Sequence, residues 1–292
     1  MAVFTLPPEM ISFYKKNIEY ITEHAVDPDK RRYSVEGEAS RHYIDIDHYS
    51  KEHPFEVMPR KWNDAVKKYS EDTLLAYGIV PWQVHRTFFK LRNAFRDEDI
   101  DRILKYSADI GHYVADTHVP LHTTENYNGQ LTGQIGIHAF WESRLPELFD
   151  GKYDFLVGQA HYIDNILDAA WDAVEDSHNA LDTVLKADAL LSKEFPEDRK
   201  YSYEKKGNRT IKMYSLEYST AYHNKLNGMV ERRMKKAIIT LGSIWYTAWV
   251  DAGQPDITKL TSHAYNKQVT KEEKIIDRMW RTGKIKGREH LK

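Results

Sequence analysis

Residues 96–122 read RDEDIDRILKYSADIGHYVADTHVPLH. The acidic residues at its start favour a helix N-terminus, where the backbone dipole is positive. Pro120 ends the helix, because it has no N–H to give. His112 and Asp116 lie four residues apart on this helix, so both side chains leave one face. His122 follows the Pro120 break, where the chain can turn back toward the same space. The segment thus carries the pattern H-x3-D-x5-H, and the rest of the chain is read outward from it.

Upstream, Ile11, Tyr14, Ile18 and Ile21 keep helical spacing after Pro7-Pro8, which predicts a first helix ending near Val26. Residues 27–60 are polar and irregular, with Pro28 and Pro54 as breakers. A second helix is expected near 61–76, and a third from Pro81, which suits a first turn, to Phe95. Downstream, 123–136 reads as a glycine-containing loop, and Ile137 to Phe149 as a helix. A long helical stretch covers 160–194 with a possible break near Ser177, then a polar loop at 195–210. The last strong helix is expected over 215–251. The fold class predicted is all-α: one multi-helix domain over 1–257, followed by a basic C-terminal tail or helix over 258–292.

Composition agrees. Only 14 glycines and 10 prolines occur in 292 residues, which disfavours a turn-rich β protein. The absence of cysteine excludes thiolate metal sites, iron–sulfur clusters, a cysteine nucleophile and disulfides. The longest uncharged apolar run, Ala237 to Val250, is too short to span a bilayer and reads as a buried helix. The net charge of −2 hides an asymmetry. Residues 258–292 carry 10 Lys/Arg against 4 Asp/Glu, leaving 32 against 40 elsewhere, or +6 and −8. A basic tail of this kind suits nucleic acid or anionic lipid, although a solvated terminal helix is the ordinary case.

The 14 histidines are not evenly spread: nine fall between His24 and His138. Beside His112, Asp116 and His122 stands HAFWE, where His138 and Glu142 again sit four apart on a helix. One such pair alone is ordinarily a surface hydrogen bond. Two pairs close in sequence, with imidazole and carboxylate donors only, match the donors of a catalytic zinc site. A third element, RHYIDIDHYSKEH at 41–53, offers His42, Asp45, Asp47, His48 and His53. Spacing alone does not say which of these face a metal.

These residues resemble the superfamily of bacterial zinc-dependent phospholipases C and single-strand-specific zinc nucleases. HYVADTHVPLH is similar to that family's helix-borne H-x3-D-x5-H segment, and HAFWE to its later H-x3-E/D pair. Asp27 followed by His42-Tyr43 matches the family's early aspartate and its His-aromatic pair. The resemblance spans residues 20–150 and is a general helical likeness beyond. It implies one zinc on Asp27, His42, His112 and Asp116, and a second on His122, His138 and Glu142. Asp27 would also orient or deprotonate the attacking water, and Tyr43 would contact a base or headgroup. The family's third zinc uses an N-terminal Trp and a nearby His. This chain begins Met1-Ala2 and has only His24 before Asp27. Two zinc sites are therefore expected. The resemblance also implies export to the periplasm or the exterior, with a signal peptide and further residues ahead of Met1. His48, His53 and His118 have no family counterpart.

Three features favour the phospholipase branch: Glu as the last ligand, the short interval from His122 to His138, and the lack of cysteine. The expected function is hydrolysis of a phosphodiester by a metal-activated water, on a phospholipid or, as the alternative, single-stranded nucleic acid. Other classes to weigh are a non-catalytic helical protein and a di-iron carboxylate protein. The latter ordinarily shows paired E-x-x-H motifs, where this chain has the reversed, wider H-x3-E. Oligomeric state is not legible.

Overall fold

The computed structural model describes residues 1–207, 209–262 and 271–282. Its helices, in chain order, begin with α1 (Pro8–Lys16), α2 (Ile18–His24) and α3 (Asp27–Arg31), followed by α4 (Pro54–Val57), α5 (Trp62–Tyr69) and α6 (Glu71–Tyr77). Then come α7 (Val80–Arg96), α8 (Ile100–Thr117), α9 (Ile137–Ala139), α10 (Leu145–Phe149), α11 (Ile166–Glu194), α12 (Leu216–Lys225), α13 (Met229–Asp251) and α14 (Lys271–Thr282). One antiparallel ribbon, β1 (Tyr201–Lys206) with β2 (Arg209–Tyr214), interrupts them. The fold is all-α in character. Among the described residues no helix is long and apolar enough to cross a membrane.

Several expected elements are divided for local reasons. The first helix splits at Asn17, whose side-chain amide donates to the carbonyl of Phe13 at 2.9 Å and competes with the helical ladder. The helix expected over 61–76 splits at Ser70, which has φ of 69° and caps α6 by accepting from Thr73 N. The last helix splits at Asn227-Gly228, both with positive φ. The break expected near Ser177 does not occur. Its hydroxyl instead donates to the carbonyl of Thr117 at 2.6 Å, tying α11 to the end of α8. The polar stretch read as a loop over 195–210 contains β1. Gly207, with φ 59°, follows β1, and the strands pair in register from Tyr201↔Tyr214 to Lys206↔Arg209.

Two apolar cores form. The first gathers α1, α7, α8 and α13, where the Tyr14 ring stacks on Trp245 at 4.7 Å and Trp245 Nε1 donates to Ser107 O. The second gathers Leu121, Ile137, Phe140 and Leu145 with α11, α12 and the ribbon, and Phe140 stacks on Tyr214 at 3.9 Å. Burying aromatic rings of this size dominates the energy of such cores. The long α8 starts on Asp99, whose carboxylate accepts from Arg102 N, and it delivers Tyr113 and Val114 to the first core. Val119 and Leu121, just beyond its end, belong to the second core. The His112-to-His122 segment therefore runs along the seam between the two.

Candidate metal centre

Six residues make two clusters at that seam: Asp29, His42 and His112, then His122, His138 and Glu142. Within each, the donor atoms lie within 4.8 Å of one another. Asp116 stands between the clusters. Its Oδ2 is 3.1 Å from His42 Nδ1 and 3.4 Å from His112 Nε2, while its Oδ1 is 3.5 Å from His122 Nδ1.

The first cluster is assembled from three elements. α8 supplies His112 and Asp116, the turn after Ala39–Arg41 supplies His42, and α3 supplies the carboxylate. That carboxylate is Asp29, whose Oδ1 is 3.7 Å from both His42 Nδ1 and His112 Nε2. Asp27, the residue expected there, is paired elsewhere: Oδ2 is 2.5 Å from His24 Nδ1, and Oδ1 is 3.1 Å from Lys30 Nζ. Burial raises the Asp27 carboxyl, but its bonds to His24 and Lys30 outweigh this and hold it below the ordinary range. Two residues apart on one helical turn, Asp27 and Asp29 diverge by about 200°, so only one can face the cluster. Sequence spacing contains no information on which.

The second cluster sits where α9 passes into a π-turn, Phe140–Arg144. His138 Nε2 is 2.7 Å from Glu142 Oε2 and 3.1 Å from His122 Nε2. His122 Nε2 is 3.4 Å from the same Glu142 oxygen. Phe140 and Arg144 anchor the opposite face of this turn. Arg144 pairs with Glu204 of β1 and donates to Tyr214 O at 3.3 Å. The ribbon that sequence reading missed is thus what holds the Glu142 turn in place. The Gly-Asn pair in the sequence, between runs containing Tyr201, Tyr203, Thr210 and Ile211, was the available signal.

The imidazoles are oriented by the backbone. His112 Nδ1 faces Ala25 O at 2.9 Å, His122 Nδ1 faces His42 O at 2.6 Å, and His138 Nδ1 faces Tyr127 O at 3.1 Å. A carbonyl oxygen only accepts, so in each ring Nδ1 is the donor and Nε2 carries a lone pair. In their neutral forms, His122 and His138 then oppose two lone pairs across 3.1 Å, with the Glu142 carboxylate beside both. Three acceptors so placed repel unless a positive charge lies among them. Backbone acceptors behind metal-facing imidazoles are the usual support for histidine ligands. The donor set, imidazole nitrogens and carboxylate oxygens without thiolate, suits zinc among other divalent ions.

Charge in the site follows the same logic. Burial raises the Glu142 carboxyl, but His122 and His138, where protons take the place of a metal ion on their Nε2 atoms, reverse this and hold it well below its ordinary value. Burial, then the carboxylates of Asp29 and Glu142, push the Asp116 carboxyl well above its own. Behind His42 lies a buried carboxylate that the sequence did not flag, Glu38. It accepts from the Tyr113 hydroxyl and from Arg41, both at 2.5 Å, and its Oε1 is 3.9 Å from His42 Nε2.

The remaining candidates lie elsewhere. Tyr43 is buried at 8% exposure, its hydroxyl 3.5 Å from Ala76 O. A Cβ on Gly78 (φ 94°) would come within 2.2 Å of Tyr43 O. Tyr43 therefore packs against α6 and the glycine after it, instead of presenting a ring to a ligand as expected. His48 reaches Glu125 at 3.2 Å and stacks on Tyr77. His53 is an exposed residue beside Glu56. His118 turns into the core, its Nδ1 2.8 Å from Val114 O, and burial pushes its imidazole down to about 4. Neither a scan against protein-family models nor a search of curated proteins returns a match for this chain.

Proposed function

We propose that this protein is a metal-dependent phosphodiesterase of the phospholipase C type, with zinc as the metal. The observation that carries the reading is the facing pair of His122 and His138 nitrogens beside Glu142, linked through Asp116 to a second cluster. Asp29, His42, His112 and Asp116 would hold one ion, and His122, His138 and Glu142 another. When bound there, zinc would supply a coordinated water of lowered pKa and positive charge beside phosphate oxygens.

The chain's own groups divide the work. Asp116 turns Oδ2 toward His42 and His112 of the first cluster, while its Oδ1 lies beside His122 Nδ1, behind the second. The carbonyls of Ala25, His42 and Tyr127 hold His112, His122 and His138 in the tautomer whose Nε2 faces inward. Asp29, with half its side chain exposed, is the carboxylate at the solvent edge. Its carboxylate would accept a proton from an attacking water, the role first expected of Asp27.

These donors would see only a phosphate, so the substrate is settled by a rate comparison of zinc-loaded protein on phosphatidylcholine and on single-stranded DNA. Release of diacylglycerol, with DNA cleaved at least about 100-fold more slowly, is expected; since about 1.4 kcal/mol in barrier is tenfold in rate, this is a gap of about 3 kcal/mol. Faster cleavage of DNA would make the protein a nuclease. Failure on both, with zinc bound, would end the enzymatic reading.

A further inference from the structure

The C-terminal helix α14 reads KEEKIIDRMWRT over Lys271–Thr282. Ile275, Ile276, Met279 and Trp280 fall at i, i+1, i+4 and i+5, which places them along one side of a helix. Core helices bury such a stripe. Here Ile275 is 57% exposed and Trp280 46% exposed, and Ile276 and Met279 are only half-buried. Lys274, Arg278 and Arg281 are exposed along the same helix.

Its main described neighbour is α3. The contact centres on Lys30, whose Nζ is 3.4 Å from Asp277 Oδ1 and 5.8 Å above the Trp280 ring. One ion pair and one cation–π contact hold a helix only lightly. An apolar stripe left partly in water is the pattern of a helix that lies in a membrane interface. α14 itself balances Lys271, Lys274, Arg278 and Arg281 against Glu272, Glu273 and Asp277, so the basic excess belongs to the wider C-terminal segment. Tryptophan is the residue that prefers that depth.

Charge selects the surface. Residues 258–292 carry a net +6 and the remaining chain −8. An anionic bilayer therefore attracts this segment and repels the rest, which fixes orientation as well as affinity. We propose that α14 docks this protein on anionic phospholipid bilayers, with Ile275 and Trp280 entering the interface. The docking itself does not depend on the catalytic reading.

The test is sedimentation of the full chain with vesicles of phosphatidylcholine, with and without phosphatidylglycerol. The protein is expected to partition onto the phosphatidylglycerol vesicles, less at high salt, and equally after EDTA treatment. The double substitution I275S/W280S should lower partitioning about tenfold, and Trp280→Phe alone should retain most of it. Hydrolysis of a soluble chromogenic phosphodiester should be unchanged in I275S/W280S. Equal binding to vesicles lacking phosphatidylglycerol, or unchanged binding by I275S/W280S, would overturn the proposal. So would binding of single-stranded DNA through α14 in place of vesicles. Vesicle binding by a protein with no hydrolytic activity would leave the proposal standing while the catalytic reading fell.

Discussion

Asp27 and Asp29 are separated by one proline and differ completely in surroundings. Asp27 pairs with His24 and Lys30, while Asp29 reaches the two imidazoles of the first cluster. Substitution separates these roles. Asp29→Asn should reduce zinc affinity by at least the roughly 10–100-fold typical of a change in a ligand's outer partner. Asp27→Asn should leave zinc content near that of the unaltered protein. Metal analysis after dialysis against a graded chelator reads both. The reverse order would return the ligand to Asp27. His112 with Asp116, and His138 with Glu142, were legible because fixed four-residue spacing on a helix determines a shared face; His42 was named only by the family resemblance, and His122 by the turn after Pro120. The early carboxylate was not, because α3 is a short turn whose rotation is set by its tertiary contacts.

At the level of elements, the end of α8 matters most, because the chain must turn there to bring His122 back beside Asp116. A buried arginine on α13 holds that turn. Arg233 Nε donates to His118 O at 2.9 Å, and its Nη2 donates to Ala173 O at 3.1 Å and to the Ser177 hydroxyl. Burial, against the pull of Asp176, lowers its pKa to about 10, so the guanidinium stays charged near neutral pH. A cation at a helix C-terminus is favourable in itself. Arg233→Ala would leave these acceptors buried and unmet, at a cost of about 2–4 kcal/mol in urea unfolding. Arg233→Lys should recover little, since an ammonium cannot span three acceptors on two helices as a planar fork does. A loss below about 0.5 kcal/mol, typical of a neutral surface change, would show that Arg233 is not the tie.

The same scale shows which elements were readable. Helices with a regular apolar stripe, such as α7 and α8, follow from the sequence, because burial of one face sets both their length and their phase. The breaks at Asn17 and Ser70 depend on side-chain bonds that periodicity does not register. The ribbon was hidden by its polarity: much of it is exposed, and only its Tyr201 end reaches the aromatic layer around Phe140. Single-face alternation is weak evidence when one face meets water and the other meets charged partners such as Arg144.

For the whole molecule, the two cores meet along the segment that bears both clusters. Ions bound there would join the cores and stabilise the native chain by mass action. At a free zinc concentration a thousandfold above Kd this amounts to about 4 kcal/mol. For a chain of this size that corresponds to a rise in Tm of roughly 10 °C. EDTA should remove the gain and zinc restore it, as followed by calorimetry. His122→Ala and Glu142→Ala should each shrink the zinc-dependent rise and lower zinc content. An unchanged rise in both would place the bound zinc elsewhere.

The clusters are also tied by backbone. Ile44 N donates to His122 O at 2.9 Å, while His122 Nδ1 faces His42 O at 2.6 Å. The residue that bears one cluster's imidazole thus aims the other's, and Asp116 reaches toward both. Were zinc bound as proposed, this tie would couple the two sites, and by reciprocity equally in both directions. Coupling that favours joint loading would, under limiting zinc, divide the population into molecules holding a full complement and molecules holding none, with singly loaded species scarce, as native mass spectrometry of a zinc titration reads.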